Sequence, residues 1–421
     1  MRARYWAAVV LLFLVGCADE TGVIPPKDVL YYPLGLAAHP DGRYLYVTNA
    51  VFDRRYNTGT LTVYDTEARQ VVAPATVPLG LFAGEIRLWR GEDGIHGVTV
   101  TRENGQVMPF RLGDDPQAAD HIQCYDPAQA SYGRCQADSG FLSFGVDGSP
   151  VASDPLGLAL TPAGFVVTHA GNGVVSEWAL DVDGAVRFDC QRNLPAGATS
   201  VARHPVLGWL YVTDRFNHRI QLVEPRPTAL RDPEGVDTAP CELRNRGTLV
   251  VDPDIERGRT RGIAFSADGS LMYVASSSDR TLRIYDTSVG PAGTPRNTLL
   301  GAVPVGIQPN VVRVAGLRPG ECRVPLRPGT APGTCDRSDA AGDGLVYVTA
   351  FGDDRVVVLD PATLAVVARI EVGQGPHDIA FLPDADGRLR GYVSNFEVHS
   401  LSVLDLEPGS PARFTRIATI D

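Results

Sequence analysis

The chain almost lacks lysine: of 38 cationic residues Lys27 is the sole lysine, and all the others are arginine. That lysine follows no glycine-rich loop, which excludes a phosphate-binding P-loop. No H-E-x-x-H helix, no G-x-S-x-G elbow and no G-x-G-x-x-G after a strand is present, so a zincin, an α/β-hydrolase and a dinucleotide-binding fold are all excluded. The spacing of a calcium loop is missing too, and Asp181-Val182-Asp183-Gly184 reads as a hairpin turn. No cysteine pair has C-x-x-C spacing, which argues against a zinc ribbon or attached c-type haem, and no metal or cofactor is expected. The formal net charge is −11, with no local basic stripe. Nucleic acid is therefore not an expected partner.

What is present is a repeat. From Pro33 the chain reads PLGLAAHPDGRYLYVTNA and then TGTLTVYDTEARQVV: four short strand-like runs with turns between them. Copies follow at 154–180, 200–223, 260–286 and 375–405, with a degenerate copy at 85–112 and one split by an insertion at 309–360. The landmark of the second strand falls at Tyr46, Gly97, Val166, Tyr211, Tyr273, Tyr347 and Tyr392. Four strands within about 45 residues, repeated, are the signature of a propeller blade. The fold class expected is all-β: a seven-bladed β-propeller with four antiparallel strands per blade, spanning 31–421. Each blade is expected to supply its own four strands, with Val29 to Tyr32 as a clasp strand in the alternative.

Tyr46-Val47-Thr48-Asn49, with Pro-Asp-Gly upstream and Thr62-Val63-Tyr64-Asp65 downstream, resembles the YVTN family of propeller repeats. Tyr211-Val212-Thr213-Asp214 through Ile220 resembles an NHL-type repeat. These resemblances imply fold and leave activity open, because such propellers host unrelated functions. At the N-terminus, Arg2 and Arg4 precede an apolar run from Tyr5 to Val15, too short to span a membrane. The run ends in Leu14-Val15-Gly16-Cys17, which resembles the bacterial lipobox. The resemblance implies a signal peptide at 1–16, a lipidated Cys17 heading a linker at 17–30, and a lipoprotein at the cell envelope. Ala18 after the cysteine implies the outer membrane, facing periplasm or cell surface.

Six further cysteines, Cys124, Cys135, Cys190, Cys241, Cys322 and Cys335, suit disulfides in an exported protein. They allow 15 pairings; proximity favours Cys124 with Cys135 and Cys322 with Cys335, which leaves Cys190 with Cys241. Three additions break the repeat rhythm, at 113–140, 226–246 and 315–343, and strand alternation puts all three on one face of the disc. The opposite face carries Arg54, Arg55, Tyr56, Asn57, Asp214, Arg215 and His218 as candidate binding residues. His169, Asn172, Asp353, Asp354, Asn395, Glu397 and His399 share that face.

The channel-mouth positions read Leu34, Ile86, Leu156, Thr199, Arg261, Asn310 and His377, with Arg87 and Asp378 adjacent. His377 with Asp378 is the best acid–base pair, and Arg261 a further candidate for catalysis. The first expectation is a non-catalytic binding or scaffold propeller anchored at the envelope, with an envelope protein or glycan as partner. A lactonase-like or lyase-like propeller enzyme is the alternative; Asp378, Asn310 and Glu85 could then contribute to a channel site. A glycan or peptidoglycan binder is a third reading, with Tyr56 and Tyr125 as its aromatics.

Overall fold

A computed structural model of the chain describes residues 23–91, 93–103, 105–142, 154–162, 164–180, 184–225, 242–252, 258–315 and 344–421. Seven antiparallel sheets follow one another along the chain, and their first strands touch in sequence around a ring, the last against the first. Those innermost strands are Pro33–Ala38, Ala83–Arg90, Pro155–Thr161, Ala198–Arg203, Thr260–Phe265, Pro309–Val314 and Pro376–Pro383. The protein is a seven-bladed β-propeller.

Each blade is built from inside to outside by the logic of its residues. The second and third strands, such as Tyr44–Asn49 and Gly59–Asp65, are Val-, Thr- and Tyr-rich and almost wholly buried on both faces, because each blade is covered on either side by its neighbours. The outer strands, such as Thr415–Ile420, face solvent. The Asp-Gly turns between first and second strands need a left-handed residue, supplied by Gly42 at φ +79° and Gly269 at φ +71°. Seven apolar cores result, one at each junction between adjacent blades. The core that closes the ring joins Leu36, Leu45, Val47 and Tyr64 to Leu382, Tyr392 and Leu401. Ring closure thus uses face packing: the last blade ends on its own strand Thr415–Ile420, and Val29 to Tyr32 form no strand.

All seven innermost strands shift register at the same place, between their first and fourth residues. The bulge turns two residues of each strand toward the channel. In five blades a hydroxyl at the third position of the Y-V-T-N repeat pins it; blades two and five have Val100 and Ala275 there. Gly35 N–H donates to Thr48 Oγ1 (2.8 Å), which donates onward to the Gly84 carbonyl of the next blade (2.7 Å). Thr349 passes from Val311 N–H to the His377 carbonyl, and Ser394 from Asp378 N–H to the Leu34 carbonyl. The fourth position fixes the third strand: Asn49 Nδ2 donates to Thr60 and Thr62, and Asn395 Nδ2 to Ser400 and Ser402.

This register corrects two assignments in blade two. Ile86 pairs with Thr99 and is buried in the core between blades one and two, so the channel-mouth residue there is Gly84. Val98, not Gly97, is the equivalent of Tyr46. A Cβ on Gly97 would meet the Phe110 ring at 2.2 Å. The segment 113–140 is also more than a loop. It contains the outer strand itself, Ile122–Asp126, and a fifth strand, Ser131–Arg134, while Phe141–Leu142 pairs with the start of the third strand, Gln106–Leu112. Cys124 and Cys135 form a disulfide there, as proximity suggested. Cys190, on the outer strand of blade three, is disulfide-bonded as well; Cys17, Cys241, Cys322 and Cys335 lie outside the described residues, as do 226–241 and 316–343 of the other two additions.

His169 ends the second strand of blade three, with Nε2 against Ser176 Oγ at 2.9 Å. Burial holds its pKa down at about 4. The ring is therefore neutral in the fold, whereas the unfolded chain begins to bind its proton near pH 6.5. The stability this contributes is complete above about pH 6.5 and is lost as pH falls toward 4, on the order of 3 kcal/mol for this one residue. We expect the melting temperature to fall between pH 7 and 4.5, and to fall less in His169→Gln. Equal slopes in the two proteins would refute the assignment.

Candidate functional site

The innermost strands begin on the face that bears the short loops, so the bulge residues and the residues just after each second strand meet at one mouth of the channel. The first bulge residues are Leu34, Gly84, Leu156, Thr199, Arg261, Asn310 and His377. The residues one step beyond the second strands are Ala50, Arg102, Ala170, Arg215, Ser277, Phe351 and Phe396. A pocket of about 240 Å³ opens where these two rings meet, and Arg102, Arg259, Arg261, Asn310 and His377 are among the residues that line it.

The pocket is split by blade. On one side Phe351 and Phe396, from blades six and seven, lie 6.2 Å apart. Phe396 continues to Phe52 of blade one at 5.6 Å, and Phe52 to Phe82 at 5.4 Å. The other side is basic. Burial lowers the pKa of Arg261, and the neighbouring charges of Arg215, Arg259 and Arg102 push it the same way. Arg102 pairs with Asp154. Among the described residues neither Arg259 nor Arg261 pairs with a carboxylate, and no Asp or Glu lines the pocket. Two guanidinium groups with no carboxylate partner among the described residues, beside a third that has one, form a wall able to accept an anion. His377 sits in the same wall, its pKa lowered to about 4, chiefly by burial and further by Arg261, Arg313 and Arg102 against the opposing pull of Asp378. Its Nδ1 is buried with no hydrogen-bond partner.

One layer deeper the carboxylates appear, already engaged. Asp378 accepts from Leu36 N–H of blade one (3.2 Å) and Ile379 N–H (2.8 Å), and pairs with Arg313 of blade six at 3.0 Å. Glu85 accepts from Leu158 N–H of blade three (3.2 Å) and pairs with Arg87 at 2.7 Å. Arg87 and Arg313 stand where the other five innermost strands have Ala37, Ala159, Ala202, Ala264 and Ala380. Of these four charges, Glu85 ties blade two to blade three, and Asp378 ties blade seven to blades one and six. The His377–Asp378 pair suggested by the sequence is thus divided in space: His377 faces the pocket, and Asp378 is a joint between blades. Among the described residues no three His, Cys, Asp or Glu side chains are grouped to hold a metal.

The remaining candidates scatter. Arg54 is exposed at the rim, paired with Glu103 and lying 5.3 Å over the Phe82 ring. Arg55 and Asn57 are exposed beside it, and Tyr56 packs edge-on against Tyr31 at 4.9 Å. Asp214 is buried and caps its loop through Phe216 N–H and Asn217 N–H, and buried His218 meets Ser276 Oγ at 3.0 Å across the blade four–five junction. Arg215 lies over Phe216 and within electrostatic reach of Arg261. Tyr125 is buried against Tyr132 and Phe141, so it offers no exposed ring to a sugar. Sequence reasoning missed Arg102, Arg259 and the four phenylalanines. For Arg102, Phe351 and Phe396 the signal was the repeat register itself, read one residue past each second strand; Arg259, Phe52 and Phe82 carried none.

No protein-family model matches the chain, and no curated protein matches it. Solved propellers do. The periplasmic gluconolactonase of Pseudomonas aeruginosa is similar with a TM-score of 0.54 at 16% identity, over 83% of this chain and 88% of that one. Hydrazine synthase from Kuenenia stuttgartiensis is similar with a TM-score of 0.54 at 14% identity, over 94% and 100%. A catalytically inactive virginiamycin B lyase from Staphylococcus aureus is similar with a TM-score of 0.50 at 11% identity, over 89% and 94%. Likeness at such identity shows the shared fold.

Proposed function

We propose that this chain is a non-catalytic binding propeller held at the bacterial envelope through lipid on Cys17, and that its channel mouth takes a small anion. The carrying observation is the arginine cluster of Arg102, Arg259 and Arg261 on a pocket wall that has no carboxylate among the described residues. A ligand that binds only the folded state raises its melting temperature by mass action. Millimolar organic anions are expected to raise the melting temperature of the protein from Ala18 onward, and matched chloride is not; no shift with any anion would refute the site. For the anchor, radiolabelled palmitate is expected to enter the wild-type chain in bacterial cells and not Cys17→Ala. Label retained in that variant would refute lipidation at Cys17.

A lactonase-like reading is favoured by one observation, a neutral imidazole with a partnerless Nδ1 beside guanidinium groups that would suit a developing oxyanion. A pKa near 4 makes His377 a weak base at neutral pH, which is why binding ranks first. Hydrolysis of glucono-δ-lactone in a pH-stat should not exceed the buffer rate. Hydrolysis lost in His377→Ala would replace the binding reading with the enzymatic one.

A further inference from the structure

The arginine wall faces an aromatic one, and this amphipathic split is not what a fully hydrated anion needs. Gluconate or inorganic phosphate would place hydroxyls or charge against Phe351 and Phe396, where no donor or acceptor answers them. The basic groups come from blades two and five, the rings from blades one, six and seven, so the two walls are fixed by different parts of the ring and cannot exchange roles. Arg259 and Arg261 have no carboxylate partner among the described residues, while the rings meet edge-on or tilted and leave Phe52 55% exposed at the rim. The pocket volume, about 240 Å³, lies at or below the small end of ligand pockets, which suits an occupant of roughly ten to fifteen heavy atoms.

Resting on the reading of the mouth as an anion site, we infer that the ligand is an amphiphilic carboxylate, with the carboxylate on Arg259 and Arg261 and an aryl or short acyl group against Phe52 and Phe396. Two parallel N–H···O bonds from a guanidinium match a carboxylate edge. A ring or chain laid against the exposed sides of the phenylalanines removes apolar surface from water on both partners. Asn310 and Gln308, between the two walls, are placed to fix orientation through a single polar substituent.

The test is titration calorimetry of the soluble protein with phenylacetate, hexanoate, acetate, gluconate and inorganic phosphate. Phenylacetate or hexanoate is expected to bind at least ten-fold more tightly than acetate and gluconate. Which of the two binds better identifies the apolar group as aryl or acyl. Phe396→Ala and, as a variant on an exposed residue, Phe52→Ala should each cut that advantage, read as the ratio to acetate, several-fold. Gluconate or phosphate binding as tightly as the better of phenylacetate and hexanoate would overturn the inference and leave the anion site standing. So would an advantage unchanged in both phenylalanine variants. Absence of binding by every anion would overturn both.

Discussion

Asp378→Ala is expected to destabilise the propeller by about 3 kcal/mol or more, the cost of leaving a buried charge without its partner. Three groups lose their acceptor together: Arg313 of blade six, Leu36 N–H of blade one and Ile379 N–H. Arg313 keeps 24% of its side chain exposed to the channel, which places the loss toward the lower end of the range for a broken buried pair. The loss should be largely repaired by a second change. Arg313→Ala installs the residue found at that position in five other blades, and the double variant removes the stranded charge. Urea unfolding of wild type, both single variants and the double variant forms a cycle, with a coupling expected above about 1 kcal/mol. Additive losses would mean that Asp378 acts on its backbone partners alone.

Arg261→Gln is expected to move in the opposite direction in stability and much further in binding. In the fold Arg261 is pressed by burial and by three other arginines, with no carboxylate among the described residues to compensate it. A neutral side chain of similar reach relieves that repulsion, so the melting temperature should hold or rise. A charge-assisted hydrogen bond contributes about 1.5–3 kcal/mol, so its loss should weaken the dissociation constant for an organic carboxylate by roughly 10- to 100-fold. A residue whose removal stabilises the fold and abolishes binding is held in place by function. Arg261→Lys keeps the charge but not the two-pronged geometry and should fall between the two. Lower stability together with unaltered binding in Arg261→Gln would assign Arg261 to structure.

Much of this is legible in the sequence. The Y-V-T-N copies located the blades because each letter has a packing duty: tyrosine and valine in the junction cores, threonine on the bulge, asparagine at the start of the third strand. Arg261, Asn310 and His377 were placed at the channel mouth for the same reason. Blade two was misread because its copy is degenerate and the bulge is invisible in sequence; a slip of one or two residues exchanges a core position for a channel position. Arg313 was overlooked because its oddity, an arginine in a ring of alanines, shows only once that register is fixed. Arg102, Arg259 and Phe396 converge through closure of the ring, which brings together residues more than a hundred positions apart. No local pattern encodes that meeting.

The most direct test of the central claim is to locate an anion in the protein. Crystals of the soluble propeller soaked in sodium iodide should show their strongest anomalous peak in the channel mouth, within contact distance of Arg102, Arg259 and Arg261. Iodide bound only at exposed surface arginines, with the mouth unoccupied by halide, would contradict the anion site and leave the propeller to be explained by its outer surfaces.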